Sequence, residues 1–198
     1  MTHLVQPFSL ENMMRKRLIG EVALTAAISA AISAAGFSSA SKAQVEEFPP
    51  NYVVASDRLH TSGQPDSEQL LALPDRGFDL VINLATPTSP NSISDEGTLV
   101  TRGGASYVNI PVDWQAPTYE DFEFFSGILN QSSHDQVLVH CMLNYRASLF
   151  TFLYRTVHQS VAPEEAYEAV SAVWEPEDQW LEFGQMVLAR HGIDYPLQ

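Results

Sequence analysis

"VLVHCMLNYRAS", residues 137 to 148, is the stretch of sequence that decides the fold of this protein. An apolar run ends in His140 and Cys141, and Arg146 follows five positions after the cysteine. Cys141 is the only cysteine among the 198 residues, so the chain forms no internal disulfide. The apolar run predicts a buried strand and residues 147–160 predict a helix, which places the cysteine at a strand-to-helix turn.

Such a turn is suited to binding an anion. A strand, a tight loop and a helix N-terminus direct several backbone N–H groups at one place, where the helix dipole adds partial positive charge. This setting favours the thiolate form of a cysteine. Arg146 can offer a planar pair of N–H donors to a tetrahedral anion, Asn144 tolerates the positive φ of a tight loop, and Ser148 can donate to the sulfur. The residues therefore predict covalent catalysis at phosphorus or sulfur.

Strands and helices alternate along the rest of the chain. A continuous apolar run predicts a strand buried on both faces at 78–85, and further strands are predicted at 106–112 and 135–140. Six helices are predicted. The first begins at Pro65-Asp66 and ends near Pro74 and Gly77, the second lies within 95–104, and the third is capped by Thr118. The last three span 147–160, 163–174 and about 178–192. This order predicts an α/β fold with a mostly parallel central sheet flanked by helices. His140 and Cys141 then lie at the carboxyl end of a strand, where ligand sites of such sheets occur.

The N-terminus has the pattern of a secretory signal peptide. Basic residues at 15–17 precede a run of small apolar residues from Val22 to Gly36, and Ser41 and Ala43 fit a cleavage site before Gln44. The run is too short and too rich in Ala and Ser to span a bilayer stably, although an uncleaved amphipathic anchor is an alternative. We therefore expect a periplasmic or secreted protein with no stable membrane insertion after cleavage.

Three segments are therefore predicted: a signal peptide at 1–43, a linker at 44–51 and one domain at 52–198.

After residue 43 the chain has no lysine. Removing Arg15, Lys16, Arg17 and Lys42 from the 10 basic residues leaves six, and removing Glu11 and Glu21 from the 24 acidic residues leaves 22, a net charge of −16. A surface this acidic repels nucleic acid and anionic lipid, which excludes both as partners.

"VLVHCMLNYRAS" resembles the active-site loop of the cysteine-dependent phosphatases, the tyrosine and dual-specificity superfamily, whose signature is His-Cys, five residues, Arg, then Ser or Thr. The stretches "TSGQP", "GFDLVINL" and "YVNIPVDWQAPTYEDF" resemble a bacterial branch, the beta-lactamase-hydrolase-like phosphatase domain, and this similarity covers nearly all of 52 to 190. The resemblance implies the cysteine-phosphatase fold. It also implies hydrolysis of a phosphomonoester, such as phosphotyrosine, on a small molecule or a protein, through a phosphocysteine and without a cofactor.

The resemblance assigns roles to residues. Cys141 would be the nucleophile, Arg146 the phosphate clamp and Ser148 an aid to release of the thiolate. The general acid of the family is an aspartate on the loop after the strand that precedes the motif, which makes Asp113 in "VDWQAPT" the candidate. Asp95 and Glu96 are alternatives to it, and Trp114-Gln115 is an alternative pair facing the substrate. The predicted substrate-binding residues are His140, which positions the loop, and Met142, Leu143, Asn144 and Tyr145.

The loop departs from the phosphatase signature in one respect. Only the four residues Met142 to Tyr145 separate Cys141 from Arg146, whereas Ser148 keeps its family position seven residues after the cysteine. Rhodaneses use a loop of this shorter size. A rhodanese-like sulfurtransferase carrying a cysteine persulfide therefore remains an alternative, as does a catalytically weak anion-binding module. The six histidines show no metal-ligand spacing, so no metal is expected.

Overall fold

The computed structural model describes residues 48–197. Within them a sheet of five strands has the order β1-β2-β5-β3-β4. The strands are β1 Val53–Val54, β2 Leu59–Ser62, β3 Leu80–Asn83, β4 Ser106–Asn109 and β5 Val137–His140. β1 is antiparallel to β2, and every other neighbouring pair is parallel. The predicted α/β fold with a mostly parallel sheet is confirmed.

Six α-helices flank the sheet within the described range. They are α1 Ser67–Ala72, α2 Glu96–Gly103, α3 Tyr119–Gln131, α4 Tyr145–His158, α5 Pro163–Ser171 and α6 Gln179–Arg190. Each corresponds to a predicted helix. α4 begins two residues before the predicted start at 147, because Asn144 adopts a left-handed conformation and lets the chain turn directly into the helix.

Local chemistry explains where α3 begins. The Thr118 side chain accepts a hydrogen bond from the Asp121 N–H, and the Asp121 side chain accepts one from the Thr118 N–H, which is a capping box. The predicted face of Phe122, Phe125 and Leu129 is buried. This helix follows the loop that carries Asp113, so its cap fixes one end of that loop.

The core lies on both faces of the sheet. Alternate residues of a strand point to opposite faces. Val81 and Leu138 therefore pack with α1 and α2, while Ile82 and Val139 pack on the side of α3, α4 and α6. This burial on both faces explains why β3 and β5 are continuous apolar runs in the sequence.

α4 is the central helix of the larger core. Every residue from Arg146 to Thr156 is buried, whereas surface helices bury only one stripe. A helix enclosed in this way cannot shift easily, since any movement would open a void in close-packed surroundings. Its N-terminus, where the cysteine loop ends, is therefore fixed relative to the sheet.

The predicted signal peptide and its cleavage site lie outside the described residues and remain predictions. Of the predicted linker, residues 48–51 are described, and they contact the domain: the Pro50 carbonyl accepts a hydrogen bond from the Gly63 N–H at 2.7 Å, and Phe48 stacks on Tyr52. Among the helices of residues 48–197, none has the length and hydropathy needed to cross a bilayer.

Candidate active site

A cavity of about 440 Å³ opens at the carboxyl ends of β3, β4 and β5. The loops after these three strands form its walls, which is the position expected for a ligand site in a parallel sheet. The lining residues are Thr86, Thr88, Ser89 and Pro90 after β3, Asp113 and Trp114 after β4, and Cys141, Met142, Leu143, Tyr145 and Arg146 after β5. The structure thus brings Cys141, Arg146 and Asp113 together around one space.

The backbone of the β5–α4 loop is held by its carbonyl groups. The carbonyls of His140, Met142 and Leu143 all accept hydrogen bonds from donors outside the loop, namely the N–H groups of Leu84 and Gln64 and the side-chain amides of Asn91 and Asn51, at 2.8–3.2 Å. The N–H groups of Met142 and Leu143 form no hydrogen bond with any described residue. These donors are therefore available to an anion.

The first turn of α4 adds further donors. The first intrahelical bond of this end runs from the Ser148 N–H to the Asn144 carbonyl at 2.9 Å. The N–H groups that precede it have no carbonyl one turn back with which to pair, as at every helix N-terminus. The dipole of a helix of 14 residues favours negative charge at the same place.

Asn144 holds the loop instead of lining the cavity. Its φ is 73°, the left-handed conformation expected of this residue. The side chain is fully buried, and its amide donates to the Asn51 carbonyl at 2.6 Å and to Thr61 Oγ1 at 3.0 Å. The side-chain amide of Asn144 is thus engaged within the domain, and the contact of this residue with substrate stays a prediction.

Arg146 is a buried cation without a counter-ion among the described residues. Its side chain is 5% exposed, and Nη1 donates to the Val112 carbonyl at 2.9 Å. Nε is buried and has no partner in the described structure, and no described carboxylate forms an ion pair with the guanidinium. Burying an unpaired charge beside the positive end of a helix is unfavourable unless an anion binds there. Cys141, 1% exposed, lies on the same cavity.

Asp113 is an exposed side chain at the rim of this cavity. Its Oδ1 accepts a hydrogen bond from the Gln115 N–H at 2.9 Å, which orients the carboxylate within its loop. The alternative candidates do not reach the cavity: Asp95 precedes α2 as its N-cap residue, and Glu96 is buried behind the cysteine loop. Of the alternative pair, Trp114 lines the cavity and Gln115 does not.

A buried polar network lies behind the loop. His140 is fully buried, with Nε2 2.6 Å from Glu96 Oε1. The other oxygen of Glu96 accepts from Asn83 Nδ2 at 3.0 Å and from Gln64 Nε2 at 3.2 Å. Burial, together with the charge of Glu96, raises the pKa of Tyr107 to about 12. His140 thus positions the loop from behind and does not line the cavity. No sequence pattern indicated its pairing with Glu96, because a glutamate in the first turn of a helix is ordinary.

Ser148 is also buried behind the site. Its hydroxyl donates to the Tyr145 carbonyl at 3.1 Å and accepts from Trp174 Nε1 at 3.2 Å. No hydrogen bond joins Ser148 to Cys141 in the described structure. A role in releasing the thiolate requires its hydroxyl to turn from the Tyr145 carbonyl toward the sulfur, and that role remains a prediction.

Aromatic side chains form one wall of the cavity. Tyr145, which the sequence analysis placed at the pocket, stacks on Trp174 with ring centroids 4.7 Å apart and an interplanar angle of 5°. The Arg146 guanidinium carbon lies 6.0 Å from the ring centroid of Trp114. Within residues 48–197, no three His, Cys, Asp or Glu side chains are grouped to hold a metal ion.

Comparisons with known proteins agree with this geometry. The structure is similar to that of a protein from Shewanella putrefaciens CN-32 described as "Putative phosphatase (DUF442)", with a TM-score of 0.64 and 37% sequence identity, covering 72% of this chain and 89% of that chain. It is also similar to Tk-PTP in its active form, with a TM-score of 0.55 and 20% identity over 72% of this chain and 96% of that one, which shows the fold alone.

Among curated proteins, a "Beta-lactamase hydrolase-like protein" of Xylella fastidiosa (strain Temecula1 / ATCC 700964) is 26% identical over 114 residues. That match covers 56% of this chain and 26% of the relative, so the chain spans about a quarter of the relative's length. No family model matches the chain. With more than a third of its aligned residues identical to the Shewanella protein and nearly all of that protein covered, the chain belongs to the DUF442 family of phosphatase-like proteins, which have the cysteine-phosphatase fold.

Proposed function

We propose that this protein hydrolyses a phosphomonoester through a phosphocysteine formed on Cys141. The observation that carries the proposal is Arg146, a buried guanidinium whose Nε has no partner among the described residues, beside Cys141 and the free N–H groups of the loop. A tetrahedral dianion supplies the negative charge and the acceptor oxygens that these groups lack.

In the first step the Cys141 thiolate attacks phosphorus. The S–P bond forms while the P–O bond to the leaving group breaks, and Asp113 gives its proton to the departing oxygen. Arg146 and the loop N–H groups hold the three remaining oxygens, where negative charge is concentrated. In the second step water attacks phosphorus and gives a proton to the Asp113 carboxylate. Inorganic phosphate leaves, and the thiolate is restored.

The placement of Asp113 favours phosphate over sulfur transfer. A persulfide passes its outer sulfur to a nucleophile without protonation of an oxygen leaving group, so a sulfurtransferase has no use for a carboxyl group at the cavity. The loop of four residues between Cys141 and Arg146 remains the feature that links this site to the rhodaneses.

The test is phosphate release from p-nitrophenyl phosphate by the full chain and by Cys141→Ser. We expect turnover well above background for the wild type and none for the variant, because the serine hydroxyl is a poor nucleophile without an adjacent base. A ³²P-labelled phosphoenzyme, trapped by acid quench in the wild type and absent in Cys141→Ser, would show the covalent step. Equal activity of both proteins would overturn the proposal, and activity only with thiosulfate would replace it with sulfur transfer.

A further inference from the structure

A second cavity of about 530 Å³ adjoins the active site. It shares Trp114 and Tyr145 with the catalytic cavity, so these two side chains form the wall between the two spaces. The remaining lining comes from the α5–α6 loop and the start of α6, and includes Trp174, Trp180 and three acidic residues. Trp114 and Tyr145 directly neighbour Asp113 and Arg146 in the sequence, which ties this cavity to the reacting groups.

The walls of this second cavity are aromatic. The ring of Trp114 lies 5.8 Å from that of Trp174 and 5.0 Å from that of Trp180, measured between centroids, and Tyr145 stacks on Trp174. Aromatic faces carry partial negative charge and attract Lys, Arg and quaternary ammonium groups. The cluster is also held in place, because Gln179 Nε2 donates to the Trp114 carbonyl at 3.3 Å.

The rim of the cavity is acidic and has no counter-ion in the described structure. Glu175, Glu177 and Asp178 are exposed, and none of them forms a salt bridge with a described residue. Four of the six arginines of the domain are engaged elsewhere: Arg58 with carbonyls of 129–134, Arg155 with Glu165, and Arg76 and Arg190 over aromatic rings. Carboxylates above aromatic faces select a cation over a neutral or an anionic group.

A buried donor is also unsatisfied at this cavity. Trp180, one of the lining residues, is 1% exposed, and its indole N–H has no acceptor among the described residues. Buried donors normally have a partner, and a ligand that brings an acceptor oxygen to this indole would supply one. A peptide carries such oxygens on its backbone, next to any cationic side chain.

We infer that the second cavity binds the Lys or Arg side chain of a phosphorylated peptide segment, next to the residue whose phosphate lies on Cys141. The inference rests on the proposed phosphatase function. A cation in the second cavity lies on the other side of Trp114 and Tyr145 from the phosphate on Cys141. Neighbouring residues of an extended peptide are about 3.5 Å apart, and the lysine stem adds four carbons, which together reach past these rings.

The experiment compares kcat/KM for three phosphopeptides that differ at one residue beside the phosphoresidue: Lys, Gln or Glu. We expect the full chain to favour the Lys peptide over the Gln peptide by about tenfold and to disfavour the Glu peptide. In a variant carrying Glu175→Gln, Glu177→Gln and Asp178→Asn, with each value divided by the same variant's rate on p-nitrophenyl phosphate, the preference should fall to about twofold or less.

The matched control carries Glu68→Gln, Asp75→Asn and Glu123→Gln, which change the net charge equally at exposed positions away from both cavities. It should keep the full preference. Equal loss of the preference in this control would overturn the inference, since the effect would then belong to overall charge. Equal kcat/KM values for the three peptides would also overturn the inference. The same holds if phosphocholine is hydrolysed as fast as the Lys peptide.

A binding measurement separates this inference from the proposed function. Titration of the Lys and Gln peptides into Cys141→Ser, followed by tryptophan fluorescence, should show tighter binding of the Lys peptide. Preferential binding without hydrolysis by the wild type would overturn the phosphatase function and keep the subsite. Hydrolysis by the wild type without preferential binding of the Lys peptide would overturn the subsite and keep the phosphatase function.

Discussion

The two sides of the β5–α4 loop differ in what their polar groups contact, and each side holds buried polar atoms that have no hydrogen-bond partner among the described residues. On the rear side, His140 and Asn144 are fully buried and contact Glu96, Asn51 and Thr61. On the cavity side, Arg146 Nε and the Met142 and Leu143 N–H groups have no partner among the described residues. The rear side therefore fixes the position of the loop, while the cavity side keeps its donors for a ligand. This is the preorganisation that electrostatic catalysis requires.

The acid loop, 112–118, forms the opposite wall and is built differently. Asp113 and Gln115 are exposed. Hydrogen bonds join this segment to the rest of the site from Arg146 to the Val112 carbonyl, from Gln179 to the Trp114 carbonyl and from the Val112 N–H to the Leu84 carbonyl. Arg146 thus contacts both walls. In the proposed mechanism the proton donor at the rim needs access to water and to the leaving group, which fits the exposure of Asp113. The variants below disturb the cavity side first and the rear side afterwards.

Arg146→Lys should have the largest effect on the cavity side. Lysine keeps the charge but loses the planar pair of donors and the bond to the Val112 carbonyl, so kcat/KM for p-nitrophenyl phosphate should fall about 10³-fold. The Tm should change little if bound phosphate is absent. Arg102→Lys, in the last turn of α2, is the matched control and should keep full activity. A loss of less than threefold for Arg146→Lys would contradict the assigned clamp.

Asp113→Asn tests the exposed wall. Because the amide cannot donate a labile proton, kcat for an alkyl phosphate should fall about 10²-fold or more. The loss should be smaller with p-nitrophenyl phosphate, since p-nitrophenolate leaves without protonation. Asp95→Asn, which alters the candidate that lies outside the cavity, serves as the control. The same loss with both substrates would argue against proton transfer and for a structural role of the carboxylate.

Glu96→Gln tests the rear side. The change removes the charged acceptor facing His140 and should lower the free energy of unfolding by about 1–3 kcal/mol, measured by urea denaturation. The pKa of Tyr107, raised to about 12 by burial and by the charge of Glu96, should fall in the variant, which ultraviolet titration detects. Glu68→Gln, at an exposed position, should leave both quantities unchanged. An unaltered urea midpoint for Glu96→Gln would mean that the network does not support the loop.

Two variants at Asn144 distinguish the effect of backbone strain from the effect of losing side-chain hydrogen bonds on the rear side of the loop. Asn144→Ala and Asn144→Gly both lose the bonds to Asn51 and Thr61, but only alanine is strained at a φ of 73°. We expect the alanine variant to be less stable than the glycine variant by about 1 kcal/mol in urea denaturation. Equal stabilities would mean that the loop relaxes away from the left-handed conformation when the side chain is removed.

Prediction from sequence succeeded where a structural feature depends on neighbouring residues. The helices, the three predicted strands and the left-handed conformation of Asn144 follow from periodicity, capping residues and backbone sterics, all of which act within a few positions. It did not assign β1 and β2. β2 contains His60, Thr61 and Ser62, a polar stretch that lacks the apolar pattern of a strand, yet it pairs with β5 in the interior of the sheet.

The sequence by itself determined the α/β order of elements and the loop with Cys141, Arg146 and Asn144, because a cysteine, a cation and a tight turn lie within six residues of one another. Only the tertiary structure decided the partners of those residues. It placed Glu96 behind His140, Val112 on Arg146 and Trp174 on Ser148, and it built a second cavity from three segments far apart in the chain. Such contacts depend on how the helices pack on the sheet, and no local pattern records that packing.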